Sequence, residues 1–254
     1  RLGDEGLTRS NGTTGPGTTG SIGTGAIVNN GTLIFRRSNA LSMSNTISGT
    51  GAVIQQGSGT TTLTANGSYT GATTISAGTL VLQNDAPTTA SSIFSGPGKL
   101  VIEPSGSSFT SGFSTSGWAI DAVTQLTGLT IGKAGNTAAI TLANATTVNG
   151  PVSLLGGDLT LNGALTATSS TITLASSGNV THSASAWLSA SNLLLSGGNV
   201  TLTNSNNAID TLAATGVSGL SYVNSKALTI GTVGTTSGLS ATGVVSVSTR
   251  IGDL

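Results

Sequence analysis

The sequence predicts an all-β chain wound as a parallel β-helix, a β-solenoid of about 20 residues per coil. Three observations carry this. A short glycine-led unit recurs at a nearly constant spacing. Apolar residues alternate within each unit, as in strands with one buried face. Thr, Val and Ile are abundant and no segment has the apolar period of a useful helix.

The clearest units are Gly157-Asp158-Leu159-Thr160-Leu161, Gly178-Asn179-Val180-Thr181-His182 and Gly198-Asn199-Val200-Thr201-Leu202. Weaker copies are Gly135-Asn136, Gly219-Leu220-Ser221-Tyr222 and Gly238-Leu239-Ser240, with Gly98-Lys99-Leu100 and Gly117-Trp118-Ala119-Ile120 as candidate starts. In the N-terminal half, Gly31-Thr32-Leu33, Gly51-Ala52-Val53, Gly78-Thr79-Leu80 and Gly98-Lys99-Leu100 each lead an aliphatic run. Between units lie Ser/Thr/Asn/Gly clusters that read as turns. Asn66-Gly67, Asn149-Gly150 and Asn162-Gly163 keep antiparallel hairpins open as an alternative. Equivalent residues nevertheless recur at the whole unit, not in mirrored pairs, which favours coil stacked on coil.

This register makes specific claims. Leu161, His182, Leu202 and Tyr222 form one inward column, and Leu159, Val180, Val200 and Leu220 another. Asn136, Asp158, Asn179 and Asn199 fall at the preceding turn, where their side chains tolerate left-handed backbone and can hydrogen-bond along the axis. At about 4.8 Å per coil the chain would make about 12 coils, a rod of about 55–60 Å.

Four segments follow. Residues 1–24 are Gly/Thr-rich without strand alternation, 25–105 form a first set of coils, 106–117 read as a loop or break, and 118–254 form a second set. Stacking is expected to continue through the break. Arg1-Leu2-Gly3-Asp4-Glu5 lacks the apolar core of a signal peptide, and the sequence stops in mid-pattern at Ile251-Gly252-Asp253-Leu254, so it reads as a piece of something longer.

Composition narrows the function. Charged residues make up 6% of the chain, against about 25% in ordinary soluble domains, yet mean hydropathy is positive, so a core can form. Net charge is zero and Arg36-Arg37 is an isolated basic pair, which argues against nucleic acid as a partner. No apolar run approaches the length of a membrane helix. Cysteine is absent, which excludes disulfides, Cys-based zinc sites and thiol chemistry.

No catalytic, cofactor-binding or metal-binding residue is assigned. His182 is the sole histidine, and its column makes it a neutral core residue bonded to backbone or hydroxyl. The acids Asp4, Glu5, Asp85, Glu103, Asp121, Asp158, Asp210 and Asp253 are scattered, whereas glycoside cleavage needs paired carboxylates and calcium needs clustered ones. Gly15-Pro16-Gly17 and Gly23-Thr24-Gly25 lack the Lys and helix of a phosphate loop. Trp118 and Trp187 could each be a sugar platform or a core residue. The sequons at Asn11, Asn30, Asn66, Asn144, Asn179 and Asn199 follow from composition.

The run from Gly57-Ser58-Gly59-Thr60 through Tyr69-Thr70-Gly71 to Gly78-Thr79-Leu80-Val81-Leu82 resembles the passenger-associated repeat of autotransporters and large exoproteins. Gly157-Asp158-Leu159-Thr160-Leu161-Asn162-Gly163, the run Asn207 to Ala214, and Ala227-Leu228-Thr229-Ile230-Gly231 resemble the shaft of filamentous-haemagglutinin-like exoproteins of two-partner secretion. The Asn-Pro-Asn motifs of that family's secretion domain are not found here, so the resemblance is to the shaft alone. It implies a right-handed β-helix, passage through an outer-membrane transporter, a place outside or on the surface of a Gram-negative cell, and adhesive or matrix roles. The expectation is a non-catalytic shaft segment, not an enzyme and without cofactors. Open partners are a host or neighbouring-cell surface, matrix polysaccharide, or further copies in a fibre. The alternative is a module whose Ser/Thr/Asn ladders bind glycan or ice; Thr60-Thr61-Thr62, Thr171/Thr173 and Thr201/Thr203 are its candidates, and a polysaccharide lyase or hydrolase ranks below it.

Overall fold

The computed structural model describes residues 7–8, 23–86, 93–120 and 126–251. Those residues contain no helix; their strands stack in parallel as a β-solenoid of about 10 turns, about 20 residues apart. Two compact units divide the chain, one of residues 1–106 with 117–128, the other of 107–116 with 129–254.

In the first unit two parallel ladders face each other. One joins Thr32–Phe35, Ala52–Gln55, Thr73–Ile75, Ile93–Ser95 and Ala119–Ile120. The other joins Leu41–Met43, Thr60–Leu63, Thr79–Gln83 and Lys99–Glu103. A third side pairs Ile27–Val28 with Ile47–Ser48. One pair, Leu7–Thr8 with Thr32–Phe35, is antiparallel. The alternation seen in the sequence sorts side chains to two faces, because successive strand residues point oppositely. Met43, Leu63, Leu82 and Ile102 thus stack inward, as do Leu80 and Leu100. Phe94 stacks on Trp118 with ring centroids 5.3 Å apart.

Polar groups enter this core as well. Gln55 donates from Nε2 to the carbonyls of Gly57 (2.8 Å) and Gly59 (3.2 Å), and the Tyr69 hydroxyl bonds Thr73 Oγ1 at 2.8 Å. Gln55 Oε1 and Thr61 Oγ1 are buried without a partner, which costs about 1–3 kcal/mol for each such group.

The second unit is more regular. Val152–Gly156, Leu165–Ser176, Leu188–Ser196 and Ala208–Val217 form one ladder. Phe113–Ser114, Ile140–Leu142, Leu159–Leu161, Asn179–His182, Asn199–Leu202, Gly219–Asn224 and Val245–Thr249 form the second. The long strand Leu165–Ser176 changes register between Ala167 and Thr171 and so also serves a third side, where Leu165–Ala167 pairs with Thr146–Val148. Ser169, with φ of 49°, sits at that bend. Segment 106–117 carries the strand Phe113–Ser114.

The expected columns are the observed ones. Leu159 pairs with Val180 and Leu161 with His182, Val180 with Val200, and Val200 with Leu220 and Leu202 with Tyr222. All except His182 are at most 3% exposed.

Four expectations change. The described residues make about 10 turns, against about 12 expected of the whole chain, and their coil length varies. Thr127 Oγ1 and N reach the carbonyls of Pro97 and Gly98, 30 and 29 residues back, and Leu220 pairs with Val245, not with Leu239 of the next glycine-led unit. In that last coil a small hairpin, Thr232–Val233 with Thr236–Ser237, is inserted, which shifts Gly238-Leu239-Ser240 into the other ladder. The Gly117 unit is likewise no coil start of the Gly157 series: Ala119–Ile120 pairs with Ile93–Phe94. Asn136 does not share the column of Asp158, since Ile140 aligns with Leu159 and Ala139 therefore takes that place. The segments 1–6 and 9–22, and with them Gly15-Pro16-Gly17 and Asn11, lie outside the described residues, as do Asp121 and Asp253.

Two predictions follow from the core. Leu202 is fully buried, so Leu202→Asp should cost about 4 kcal/mol or more, whereas Thr201→Asp, on the exposed face of the same strand, should stay within about 0.5 kcal/mol. Urea unfolding of the two variants checks this, and equal losses would contradict the register. Burial pushes the hydroxyls of Tyr222 and Tyr69 above the ordinary tyrosine value, in Tyr69 against a smaller opposing effect of its bond to Thr73. The folded state therefore holds protons that the unfolded chain releases above about pH 10. Their contribution to stability is full below that pH and lost as pH rises beyond it. Melting temperature should fall on going above about pH 10, and more steeply than in a Tyr69→Phe/Tyr222→Phe variant.

Candidate functional site

The side chains singled out for chemistry are each engaged separately. His182 lies between Leu161 and Leu202 in register but is only half-buried. Its Nε2 accepts the Asn204 amide at 3.0 Å, which leaves the proton on Nδ1 for the Ser183 carbonyl, also at 3.0 Å. The ring is a backbone clamp at a corner, with both nitrogens occupied.

The described acids act the same way. Asp85 Oδ1 accepts the Gly106 amide at 2.8 Å. Glu103 accepts from Gln83 Nε2 at 2.7 Å one coil away. Asp158 Oδ1 accepts both the amide (2.7 Å) and the Nδ2 (3.3 Å) of Asn179. Asp210 pairs with Lys226 at 2.6 Å on the surface. Among the described residues no group of three or more His, Asp or Glu is placed to hold a metal ion. Trp118 is 9% exposed and belongs to the first unit's core, whereas Trp187 is 39% exposed at a corner of the second.

The threonine candidates part company. Thr61 points inward, and Thr62 pairs with Ser42 and Val81, so no hydroxyl array forms there. Thr173 pairs with Leu194 and Thr171 with Asn192, whose Nδ2 reaches Thr171 Oγ1 at 3.4 Å. Thr201 is the productive one. Through strand register it joins a continuous outward column running from Ser114 through Thr141, Thr160, Thr181 and Thr201 to Ser221 and Ser246. The period-2 alternation of each short strand puts a hydroxyl outside whenever aliphatics flank it inside. Beside it run Asp158, Asn179 and Asn199, one residue before each strand's first inward aliphatic. Bonds along that column are seen from Asn179 to Asp158.

A concavity opens beside these columns in the second unit. It is a groove of about 320 Å³ at the corner between the two main ladders of the second unit. Gly132 is in register with Leu155, and Ile140 with Leu159. The path from Gly132 to Ile140 is thus eight residues where the next coil uses four. The surplus forms the loop Lys133–Thr137, which becomes a wall above the corners of the following coils. Asn136 holds it. This side chain is 4% exposed, donates from Nδ2 to the Leu155 carbonyl at 2.9 Å, and accepts at Oδ1 from Ser108 Oγ (2.9 Å) and from the amides of Phe109 and Ala138 (3.2 Å each). Gly132 and Gly135 turn the loop with φ of 83° and 86°, and any side chain at Gly132 would collide with the Leu155 carbonyl. The floor is Leu155, Ala175 and Ser196, one residue per coil in register and each half-buried. The sequence held one signal of this loop, the three residues between Gly135-Asn136 and the first strand aliphatic Ile140, where Gly178-Asn179-Val180 and Gly198-Asn199-Val200 have none.

Residues 53–82 match the family model of the passenger-associated-transport-repeat. The match covers about one and a half turns of the first unit, from within strand Ala52–Gln55 through Thr60–Leu63 and Thr73–Ile75 into Thr79–Gln83. No curated protein matched the chain, and no solved structure did. The chain is therefore a β-solenoid that carries, in its first unit, a repeat like those of autotransporter passengers, a family association that points to a secreted or surface-exposed protein of Gram-negative bacteria.

Proposed function

We propose that this chain is a structural shaft segment of a large secreted bacterial surface protein, an adhesin or matrix filament, and that it is not an enzyme. The observation that carries the reading is the continuous parallel ladder from Phe113–Ser114 to Val245–Thr249 in the second unit, in which aliphatic columns such as Leu159, Val180, Val200 and Leu220 repeat coil after coil. A repetitive array of this kind gains stability from each nearest-neighbour stack and holds parts at a distance. The passenger-like repeat supports export through the outer membrane. Of the two routes implied by the sequence resemblances, that repeat favours the autotransporter over two-partner secretion. Glycoside cleavage needs paired carboxylates, and the described acids are instead engaged singly with partners within the coils, which argues against a lyase or hydrolase.

A shaft should tolerate loss of whole coils. Deleting residues 159–199 splices Asp158 to Val200, the register equivalent of Leu159 through Val180. That variant should fold cooperatively with a modestly lower melting temperature, whereas deleting 159–169, half a coil, should abolish folding. Antibody raised against the chain should label intact cells of the source bacterium without permeabilisation. Equal damage from the two deletions, or label seen only after permeabilisation, would refute the shaft reading.

A further inference from the structure

We propose that the groove beside the Lys133–Thr137 loop is a binding site for an uncharged carbohydrate chain lying along the coil corners. The proposal is independent of the shaft reading, since it rests on the local geometry of four coils and not on what the parent protein does.

A solenoid face built from equal coils is flat, so a concavity requires a coil that departs from the repeat. Here the departure is the four-residue surplus between Gly132 and Ile140. The resulting groove, about 320 Å³, lies at the lower end of the range of ligand pockets, about 300–1,000 Å³. Its wall is preformed: the buried Asn136 side chain holds it with hydrogen bonds to Ser108, Phe109, Ala138 and Leu155. Ligand binding would then order little that is not already ordered, which lowers its entropic cost.

The lining decides the class of ligand. Half-exposed Leu155 and Ala175 offer a narrow aliphatic floor that Ser196 continues, and Thr137 and Ser177 place hydroxyls along its margins. A sugar ring presents the complementary pattern, an apolar C–H face rimmed by hydroxyls. The floor crosses three coils, about 10 Å, which suits a chain more than a single ring. A polyanion is disfavoured because Lys133 is the one basic residue of the lining and Asp158 stands in the adjoining column. A peptide added as an extra strand is disfavoured because the floor strands Val152–Gly156, Leu165–Ser176 and Leu188–Ser196 are already paired in register with one another, so the face offers no open edge.

The test is titration of the whole 254-residue chain with neutral hexasaccharides (β-1,4- and β-1,3-linked glucose, β-1,4-linked mannose, α-1,4-linked glucose), with hexagalacturonate as the anionic probe. Calorimetry reads affinity and amide chemical shifts read position. At least one neutral probe should bind saturably, with shifts centred on residues 133–137, 155, 175–177 and 196–197. Ala175→Phe, which fills the groove from an outward position, should weaken binding at least about tenfold with an unchanged melting temperature. Asn136→Ala should weaken it by loosening the wall, and Ser221→Phe, on the hydroxyl column away from the groove, should leave it unchanged. The proposal is overturned by any of four results: no saturable neutral probe, hexagalacturonate binding as tightly as the best neutral probe, Ala175→Phe binding like the wild type, or shifts centred on Thr160, Thr181 and Thr201.

Discussion

Everything in this chain depends on backbone hydrogen bonding between equivalent residues of successive coils. Each strand is short, two to six residues in most cases, and would be worthless alone. Its amide and carbonyl groups find partners only if the coils above and below present the same residue at the same point. That requirement fixes side-chain position as well. Once Val180 sits on Leu159 and Val200 on Val180, aliphatic side chains of similar size stack at the strand spacing and fill most of the core, with aromatics such as Phe94 and Tyr222 at single levels of it. A one-residue slip would reverse every side chain in a strand between core and surface, so the register is held by the same burial that it permits.

Coil closure imposes a second demand, at the corners, where the chain leaves one ladder and enters the next. Backbone groups there lose their ladder partners, and asparagine replaces them. Asn45 donates to the carbonyls of Gly23 and Gly25. Asn207 bridges the carbonyls of Leu202 and Val223 while accepting the Leu188 amide, and Asn224 does the same around Ile209 and Lys226. A carboxamide suits this task because it donates and accepts from one short side chain without charge. The low charge of the sequence and its wealth of Asn are therefore two sides of one structural economy: buried corners need polarity, but a buried charge there would cost far more than it returns.

Where the repeat is broken, new shape appears. The extra residues after Gly132 raise a wall at one corner, and the hairpin inserted between Gly231 and Gly238 packs against strand Ala208–Val217. Regular coils supply stability, and irregular ones supply surface features. A solenoid can accept such insertions cheaply because the closing hydrogen bond, for example Gly238 N to Gly231 O at 2.8 Å, restores the ladder on either side.

The sequence by itself determined the all-β class, the approximate coil length and the inward columns of the second unit. It could do so because alternation and recurrence are local properties, legible wherever Gly-Asx-aliphatic-Thr recurs. It also pointed to one productive hydroxyl position, Thr201. Only the tertiary structure decided which glycine-led runs share a ladder: those at Gly31 and Gly51 lie in one, those at Gly78 and Gly98 in the other, although the four look alike in sequence. It alone placed Thr61 inside and Thr62 outside, moved Asn136 out of the surface column into a buried anchor, and brought Leu155, Ala175 and Ser196 under one loop. The physical reason is common to all of these. The inward or outward sense of a residue at a corner depends on how many residues that corner contains, and this is set by closure against the neighbouring coils, which no single repeat records.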